Sequence, residues 1–271
     1  MIRVELVKML RRPRTWVTIA LLNLLPTVVA VLLAVTDIGP QPGEGPAFLS
    51  AVLTDGSLFP LAALAIVLPL FMPVAVSVVA GDAIAGEAQG GTLRYLLTRP
   101  VGRTRLLVAK LVSVLAFVFL AVVVVAAVGY LVGRLLLGSG DAQALVTGIS
   151  GSSLTATQLL ERTAMSVVYV SLSMLGVAAL ALLLSTLTDS SLGAALGALT
   201  FLIASSLLLT LDAAAVLQPY LPTRYWLSFV DLFRDPILWR EIVRGVLLQG
   251  AYVAVFLGAA WANFATKDIT S

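Results

Sequence analysis

The sequence contains no cysteine and no histidine, and only three of its 271 residues are lysines. The missing cysteines exclude disulfide bonds and thiol nucleophiles, and the missing histidines exclude a Ser-His-Asp triad. Zinc sites built from Cys or His ligands are excluded for the same reason. Charged residues make up 11% of the chain, whereas a soluble domain carries about 25%. These absences exclude the catalytic mechanisms that depend on a thiol, on an imidazole or on a zinc ion held by Cys or His.

Apolar residues are what the chain has in abundance. They make up 60% of the sequence, and the mean hydropathy is +1.05, whereas soluble proteins contain about 45–50% apolar residues. A soluble fold of this size could not cover so much apolar surface. Because helices satisfy their own backbone hydrogen bonds in lipid, the composition predicts an all-α integral membrane protein.

The hydrophobic runs predict six transmembrane helices in one domain, each of roughly 20 residues or slightly more. The spans are expected at about residues 16–35, 58–80, 111–132, 162–187, 191–211 and 245–265. Prolines are expected to kink two of them, at Pro26 in the first and at Pro69 and Pro73 in the second. A kink of this kind either fixes how the helix packs against its neighbours or acts as a flexible joint that moves during function. The motif Gly193-x-x-x-Gly197 in the fifth span predicts close packing between helices.

Three polar segments complete the layout. Residues 1–14 are predicted to form a basic helix in the inner membrane interface, with side chains such as Lys8 facing anionic headgroups. Residues 81–110 form a basic hairpin between spans two and three, and residues 212–244 an extracytoplasmic connection of short helices with aromatics at headgroup depth. The first two segments carry five Lys and Arg each. The positive-inside rule therefore predicts a multi-pass plasma-membrane protein with both termini cytoplasmic.

Two further absences narrow the function. None of the three lysines is followed by Ser or Thr, so the chain has no G-x-x-x-x-G-K-[ST] loop to hold nucleotide phosphates. No span has a charge near its centre, which counts against ion-coupled transport and excludes an intramembrane aspartyl pair. The arginines flank apolar spans, so nucleic-acid binding has no support. We expect no catalytic centre, cofactor or metal in this chain, and an energy source outside it.

The hairpin contains a short predicted helix at residues 93–98, between Gly90-Gly91 and Pro100. Thr92 can cap this helix. It presents three leucines and is surrounded by arginines: Leu93, Leu96 and Leu97, with Arg94, Arg99 and Arg103. An exposed apolar patch outside the membrane is typical of a docking surface for another protein. A helix lying flat on the inner leaflet is the alternative.

The same hairpin carries a resemblance to a known family. The pattern Glu87-x-x-x-Gly91-Thr92-Leu93, then Leu96-Leu97-x-x-Pro100 and Arg103, resembles type-2 ABC transporter permeases, the membrane subunits of exporters with a separately encoded ATPase. The order of basic helix, six spans and hairpin is similar as well. The resemblance implies that an ATPase-coupling helix involves these residues: Glu87, Gly91, Thr92, Leu93, Arg94, Leu96, Leu97, Pro100 and Arg103. By the same resemblance, Glu87 contacts the ATPase or braces the hairpin.

The resemblance implies a function as well as a fold. Two permeases, identical or sister chains, would form the translocation path through spans that include the first and the fifth. Two cytoplasmic ATPase subunits would bind ATP and Mg and drive export, with membrane lipids around the bundle. Two other classes remain open: an ion-coupled secondary transporter or channel, and a non-transporting membrane anchor or assembly protein whose hairpin recruits another partner.

Overall fold

The computed structural model describes residues 1–36, 55–91, 102–138, 146–147 and 153–266. Within these ranges the regular structure is helical, apart from a two-residue antiparallel ladder in which β1 (Val146–Thr147) pairs with β2 (Ser153–Leu154). The helices are α1 (Ile2–Arg11), α2 (Pro13–Val35), α3 (Phe59–Val67), α4 (Phe71–Gly81), α5 (Ala85–Gln89), α6 (Arg103–Leu136), α7 (Ala156–Leu187), α8 (Ser191–Leu208) and α9 (Trp239–Thr266). The predicted all-helical fold is confirmed.

Five of these helices, α2, α6, α7, α8 and α9, are long and apolar enough to cross a membrane. The 3-10 turn Gly56–Leu58 with α3 forms one arm of a bent pair, and α4 forms the other, at 60° to it. Pro69 lies in the break between α3 and α4, and Pro73 lies in the first turn of α4. Proline is tolerated in a first turn because its missing N–H has no partner within the helix there. Pro26 is buried inside α2, which continues on both sides of it.

The bent pair leads from one end of the helix bundle to the other. After α4, Asp82 pairs with Arg14 at the start of α2, with 2.9 Å between Arg14 Nη1 and Asp82 Oδ2. Before α3, the amide of Gly56 donates to the carbonyl of Gly138, just beyond α6. A Cβ on Gly56 would lie 2.2 Å from the carbonyl oxygen of Gly133. We call the end that contains α1 "the α1 end" and the other "the opposite end".

The first and last helices meet at the α1 end. Helix α1 packs against the first turns of α6. Arg103, the first residue of α6, donates to the carbonyl oxygens of Phe264 (3.4 Å) and Ala265 (3.0 Å) in the last turn of α9. A cation at this position satisfies carbonyls that the helix leaves without partners and interacts favourably with its dipole. The described parts of the chain therefore begin and finish at the same end of the bundle.

Charge is distributed unevenly between the two ends. Among the described residues of the α1 end, basic side chains outnumber acidic ones: Arg3, Lys8, Arg11, Arg12, Arg14, Arg103, Arg105 and Lys110 against Glu5, Asp82, Glu87 and Asp189. Among the described residues of the opposite end the two signs balance: Arg134, Arg162, Arg224, Arg234, Arg240 and Arg244 against Asp55, Glu161, Asp212, Asp231, Asp235 and Glu241. The α1 end is therefore the positive end of the molecule.

Glycines set the closest helix crossings. A Cβ on Gly129 would lie 3.0 Å from the Ala63 side chain, and one on Gly133 would lie 2.5 Å from Phe59 Cβ. The pair Gly129-x-x-x-Gly133 therefore lets α6 approach α3 closely. The motif predicted from sequence, Gly193-x-x-x-Gly197, is exposed on α8 instead, and there no backbone of another helix lies within contact distance of it.

The later part of the segment between α8 and α9, residues 222–233, packs largely inside the bundle. Its longest 3-10 helix, Trp226–Phe233, buries Trp226, Phe229 and Phe233. The sequence predicted aromatics at headgroup depth in this segment. In the structure these three pack against the protein interior, whereas Tyr220 and Trp239 are exposed. Helix α9 begins at Trp239.

Side chains of the surrounding helices satisfy the backbone of this segment. Tyr169 of α7 donates to the carbonyl of Tyr225 (2.6 Å), and Gln249 of α9 donates to the carbonyl of Pro222 (2.7 Å). Tyr169 lies 13 residues into α7, which is about 20 Å along the helix. Buried irregular backbone requires such partners because an unpaired buried N–H or C=O group is costly.

Candidate functional site: a charged cavity at the α1 end

A cavity of about 420 Å³ lies at the α1 end, where α1, the start of α2, the α4–α5 junction and the first turns of α6 meet. Polar and apolar residues line it together. The charged ones are Glu5, Lys8, Arg12, Arg14, Asp82, Glu87 and Lys110. The cavity is thus surrounded by most of the charge that the α1 end carries.

Glu87 is the centre of the charge network in this cavity. The residue is 6% exposed. Its Oε1 accepts hydrogen bonds from Lys8 Nζ at 2.8 Å and from Lys110 Nζ. Lys110 also donates to Glu5 Oε2 at 2.9 Å. Because a buried charge is costly unless it is paired, this alternating series holds α1, α5 and α6 together.

The same contacts set the protonation state of Glu87. Burial alone would raise its pKa, because desolvation disfavours the charged carboxylate. The hydrogen bonds and positive charges of Lys110 and Lys8 outweigh burial and hold the pKa of Glu87 below its ordinary value. Glu87 is therefore an anion at neutral pH, as its two lysine partners require.

A second carboxylate fixes the junction between α1 and α2. Asp82 Oδ2 lies 2.9 Å from Arg14 Nη1 and 3.5 Å from Arg12 Nη1. Both guanidinium groups are partly exposed, whereas the Asp82 side chain is 20% exposed. The turn that follows α4 is therefore tied to the start of α2.

Ser185 of α7 holds the α4–α5 junction from the other side. Its Oγ accepts from the amides of Ile84 (3.1 Å) and Ala85 (2.8 Å) and donates to the carbonyl of Gly81 (2.7 Å). One hydroxyl thus satisfies three backbone groups that the break in the helix leaves without partners. Ile84 also belongs to a small apolar cluster with Leu106, Leu107, Leu182 and Phe264.

A family model described as a protein of unknown function, DUF2705, matches residues 45–270. The chain belongs to the DUF2705 family. Over 53 residues this DUF2705 chain is also 45% identical to the probable ABC transporter permease protein NosY of Stutzerimonas stutzeri. That match covers 20% of the chain and 19% of NosY, so the likeness spans about a fifth of the relative's length.

Three of the residues predicted to couple this DUF2705 protein to an ATPase are described by the structure. Glu87 is buried among lysines, so it braces the α1 end. Gly91 has a φ of +67°, a conformation that residues other than glycine rarely adopt. Arg103 lies at the C-terminus of α9. The others, Thr92, Leu93, Arg94, Leu96, Leu97 and Pro100, lie outside the described residues.

Several residues of this site were not predicted from the sequence. Lys8 pairs with Glu87, although it was expected to face headgroups, and Glu5, Asp82 and Ser185 were not singled out. One signal was available, since Glu5 and Glu87 are acids within otherwise basic segments. In the described ranges, no group of three or more acidic residues is arranged to hold a metal ion.

Proposed function

We propose that the chain is the membrane-spanning permease subunit of an ATP-driven ABC exporter, working with cytoplasmic ATPase subunits encoded separately. The observation that carries the proposal is the 45% identity over 53 residues to a probable ABC transporter permease. The helices long and apolar enough to cross a membrane support it. Catalysis is assigned to the partner, which would bind ATP and Mg.

The proposal includes six membrane crossings. The bent pair α3–α4 connects contacts at the opposite end, at Gly56, with contacts at the α1 end, at Asp82. A re-entrant loop would return to the end at which it began. With the pair counted as one span, the positive α1 end faces the cytoplasm of the plasma membrane according to the positive-inside rule.

The ATPase is proposed to dock on residues 92–101, between α5 and α6. The three leucines of this segment, Leu93, Leu96 and Leu97, supply the apolar contact that a protein partner requires. The flanking residues are tied to the bundle by Glu87 and Ser185 on one side and by Arg103 on the other. A push on the docking segment would therefore act on α1, α7 and α9 together.

A second copy or a sister chain is proposed to complete the translocation path. The exposed glycines of α8, Gly193 and Gly197, leave room for a helix of another subunit to approach closely. The predicted pairing surface also includes α2, whose face away from the bundle exposes large apolar side chains such as Leu21 and Leu24.

Co-purification tests the docking segment. The chain is expressed with an ABC ATPase from the same genome, and the complex is purified through a tag on the permease. The double variant Leu96→Asp, Leu97→Asp is expected to lose the ATPase because it places two charges in the apolar contact. The matched control is Val216→Asp, Leu217→Asp, a neighbouring pair exposed at the opposite end, which is expected to retain it. A complex that survives the first double substitution would contradict the proposal.

A further inference from the structure

The position of the α1-end cavity relative to the membrane follows from the residues that flank it at the start of α2. Arg12 separates α1 from α2, and Arg14 lies in the first turn of α2. The first turn of a spanning helix lies where the hydrocarbon region meets the headgroups. Next to it, Trp16 is 50% exposed, as is usual for tryptophan at this depth. The two arginines therefore lie at the level of lipid phosphates.

These arginines have more donors than their partner can use. Each guanidinium carries five N–H groups, and in the described structure both ion pairs end on one oxygen of one carboxylate, Asp82 Oδ2. The Arg12 and Arg14 side chains are 47% and 61% exposed. Both guanidinium groups thus have N–H groups accessible to a further acceptor.

Among the described residues, the charges that line the cavity do not balance. Lys8 and Lys110 are matched by Glu87 and Glu5, whereas the two arginines are matched by one carboxylate. One positive charge is left over, which is what a phosphodiester with a single negative charge would neutralise. Beside the charged groups the cavity has an apolar wall of Met9, Val79 and Val114, suited to the carbon atoms that adjoin such a phosphate.

We propose that this cavity binds the headgroup of an anionic phospholipid from the surrounding leaflet. The phosphodiester bridges Arg12 and Arg14, and the glycerol backbone lies along the apolar wall. The phosphodiester shares the two guanidinium groups with Asp82, and the apolar wall brings the lipid into contact with α1, α4 and α6. The proposal requires only that the chain is embedded in a membrane, and it holds whether or not an ATPase partner exists.

Nanodiscs of phosphatidylcholine, with and without phosphatidylglycerol, provide the test. Phosphatidylglycerol is expected to raise the melting temperature and to remain bound in native mass spectrometry. The variant Arg12→Gln, Arg14→Gln is expected to lose the rise and to bind this lipid at least about tenfold more weakly, because charged hydrogen bonds are removed. The control Arg3→Gln, Arg11→Gln removes the same charge from exposed positions on α1 that do not line the cavity. It should keep the rise.

The variant Asp82→Asn provides a second test, in which the affinity for phosphatidylglycerol is expected to change in the opposite direction. It leaves both arginines in place and adds one net positive charge to the cavity, so it is expected to tighten phosphatidylglycerol binding. Equal losses in the two arginine double variants would show attraction to the membrane surface in general and would overturn the proposal. Weaker lipid binding by Asp82→Asn would overturn it too. So would an equal rise in melting temperature on adding inorganic phosphate to protein in phosphatidylcholine alone, because the site would then belong to a soluble anion.

Discussion

Lys110 is the side chain on which the α1 end depends most directly. It is buried, and its ammonium group pairs with Glu5 and with Glu87. Lys110→Met leaves two carboxylates with one fewer partner in a region of low exposure. Breaking a buried pair by removing one member costs about 3–5 kcal/mol. We expect a loss of that size in the free energy of unfolding, measured by denaturant titration in detergent.

Arg105→Met provides the control for Lys110→Met. Arg105 is on the same helix and exposed, so its replacement should change the free energy of unfolding by less than about 0.5 kcal/mol. Similar effects of the two substitutions would contradict the role assigned to Lys110.

The pKa of Glu87 predicts a dependence of stability on pH. The native pKa lies below the ordinary value, so the folded protein binds fewer protons at Glu87 than the unfolded chain does. The stabilisation is complete above the unfolded pKa, which is about 4.3, and is lost as the pH falls through the native pKa. The difference in melting temperature between the wild type and Glu87→Gln should therefore be constant from pH 7 to about pH 5. It should shrink at lower pH, and a gap that widens on acidification would refute this account.

Lys8 shows why the site could be predicted only in part at the level of single residues. Helical periodicity on residues 1–14 placed it with Arg11 and Arg12, on the side expected to face headgroups. The partner that turns it inward, Glu87, is 79 positions away in the sequence. Local periodicity carries no information about such a partner, whereas the flanking glycine at Gly91 was predictable because its constraint is local.

The hydroxyl of Ser185 links two elements, because it joins α7 to the α4–α5 junction. Ser185→Ala leaves two amides and one carbonyl without this partner, and each buried unsatisfied group costs about 1–3 kcal/mol. We expect a loss of at least about 2 kcal/mol in the free energy of unfolding. Ser171→Ala on the same helix is the control, since Ser171 donates only to its own helix at Val167. Its effect should be below about 0.5 kcal/mol, and equal losses would argue against Ser185 as the link.

The crossing of α3 and α6 gives a prediction about glycine. Gly133→Ala would place a Cβ 2.2 Å from the carbonyl oxygen of Gly56, so the helices must separate. We expect a loss of about 1–3 kcal/mol, as in overpacked cores. Gly250→Ala in α9 has no atom within 4 Å of the new Cβ and should stabilise by about 0.5–1 kcal/mol. Thermal unfolding of both variants in one detergent tests the pair, and a stabilised Gly133→Ala would contradict the packing.

Hydrophobic runs predicted α2, α6, α7 and α8 well, because the length of an apolar segment can be read directly from the sequence. The break between α3 and α4 was predictable from Pro69 for an equally local reason. The burial of residues 222–233, before α9, was not predictable. It depends on hydrogen bonds that Tyr169 and Gln249, on two other helices, donate to the backbone of this segment. In the sequence alone, both look like ordinary polar residues within apolar helices.

The proposed topology is tested on the whole molecule, and the absence of cysteine makes the test clean. Single substitutions Arg3→Cys and Gly90→Cys lie at the α1 end, and Asp55→Cys and Asp212→Cys lie at the opposite end. A membrane-impermeant maleimide should label the second pair in intact cells, and the first pair only after permeabilisation. Labelling of Gly90→Cys together with Asp55→Cys in intact cells would contradict six crossings, because the bent pair would then return to its starting side.

The arrangement of the whole molecule was predictable where it depends on the clustering of charged residues and on the length of the apolar segments. The clustering of Lys and Arg in residues 1–14 and 81–110 placed these segments at one end, and the structure brings Asp82 and Arg14 together there. What joins the two segments was not predictable, because ion pairs between distant residues leave no periodic pattern.

Helices α7 and α9 pack against each other and make contacts at both ends of the bundle. At the α1 end they hold the two sides of residues 92–101, through Ser185 and Arg103. About 20–30 Å away, they hold the irregular segment before α9 through Tyr169 and Gln249. If the proposed docking of an ATPase on residues 92–101 holds, its movement would reach the segment before α9 at the opposite end of the bundle through these two helices.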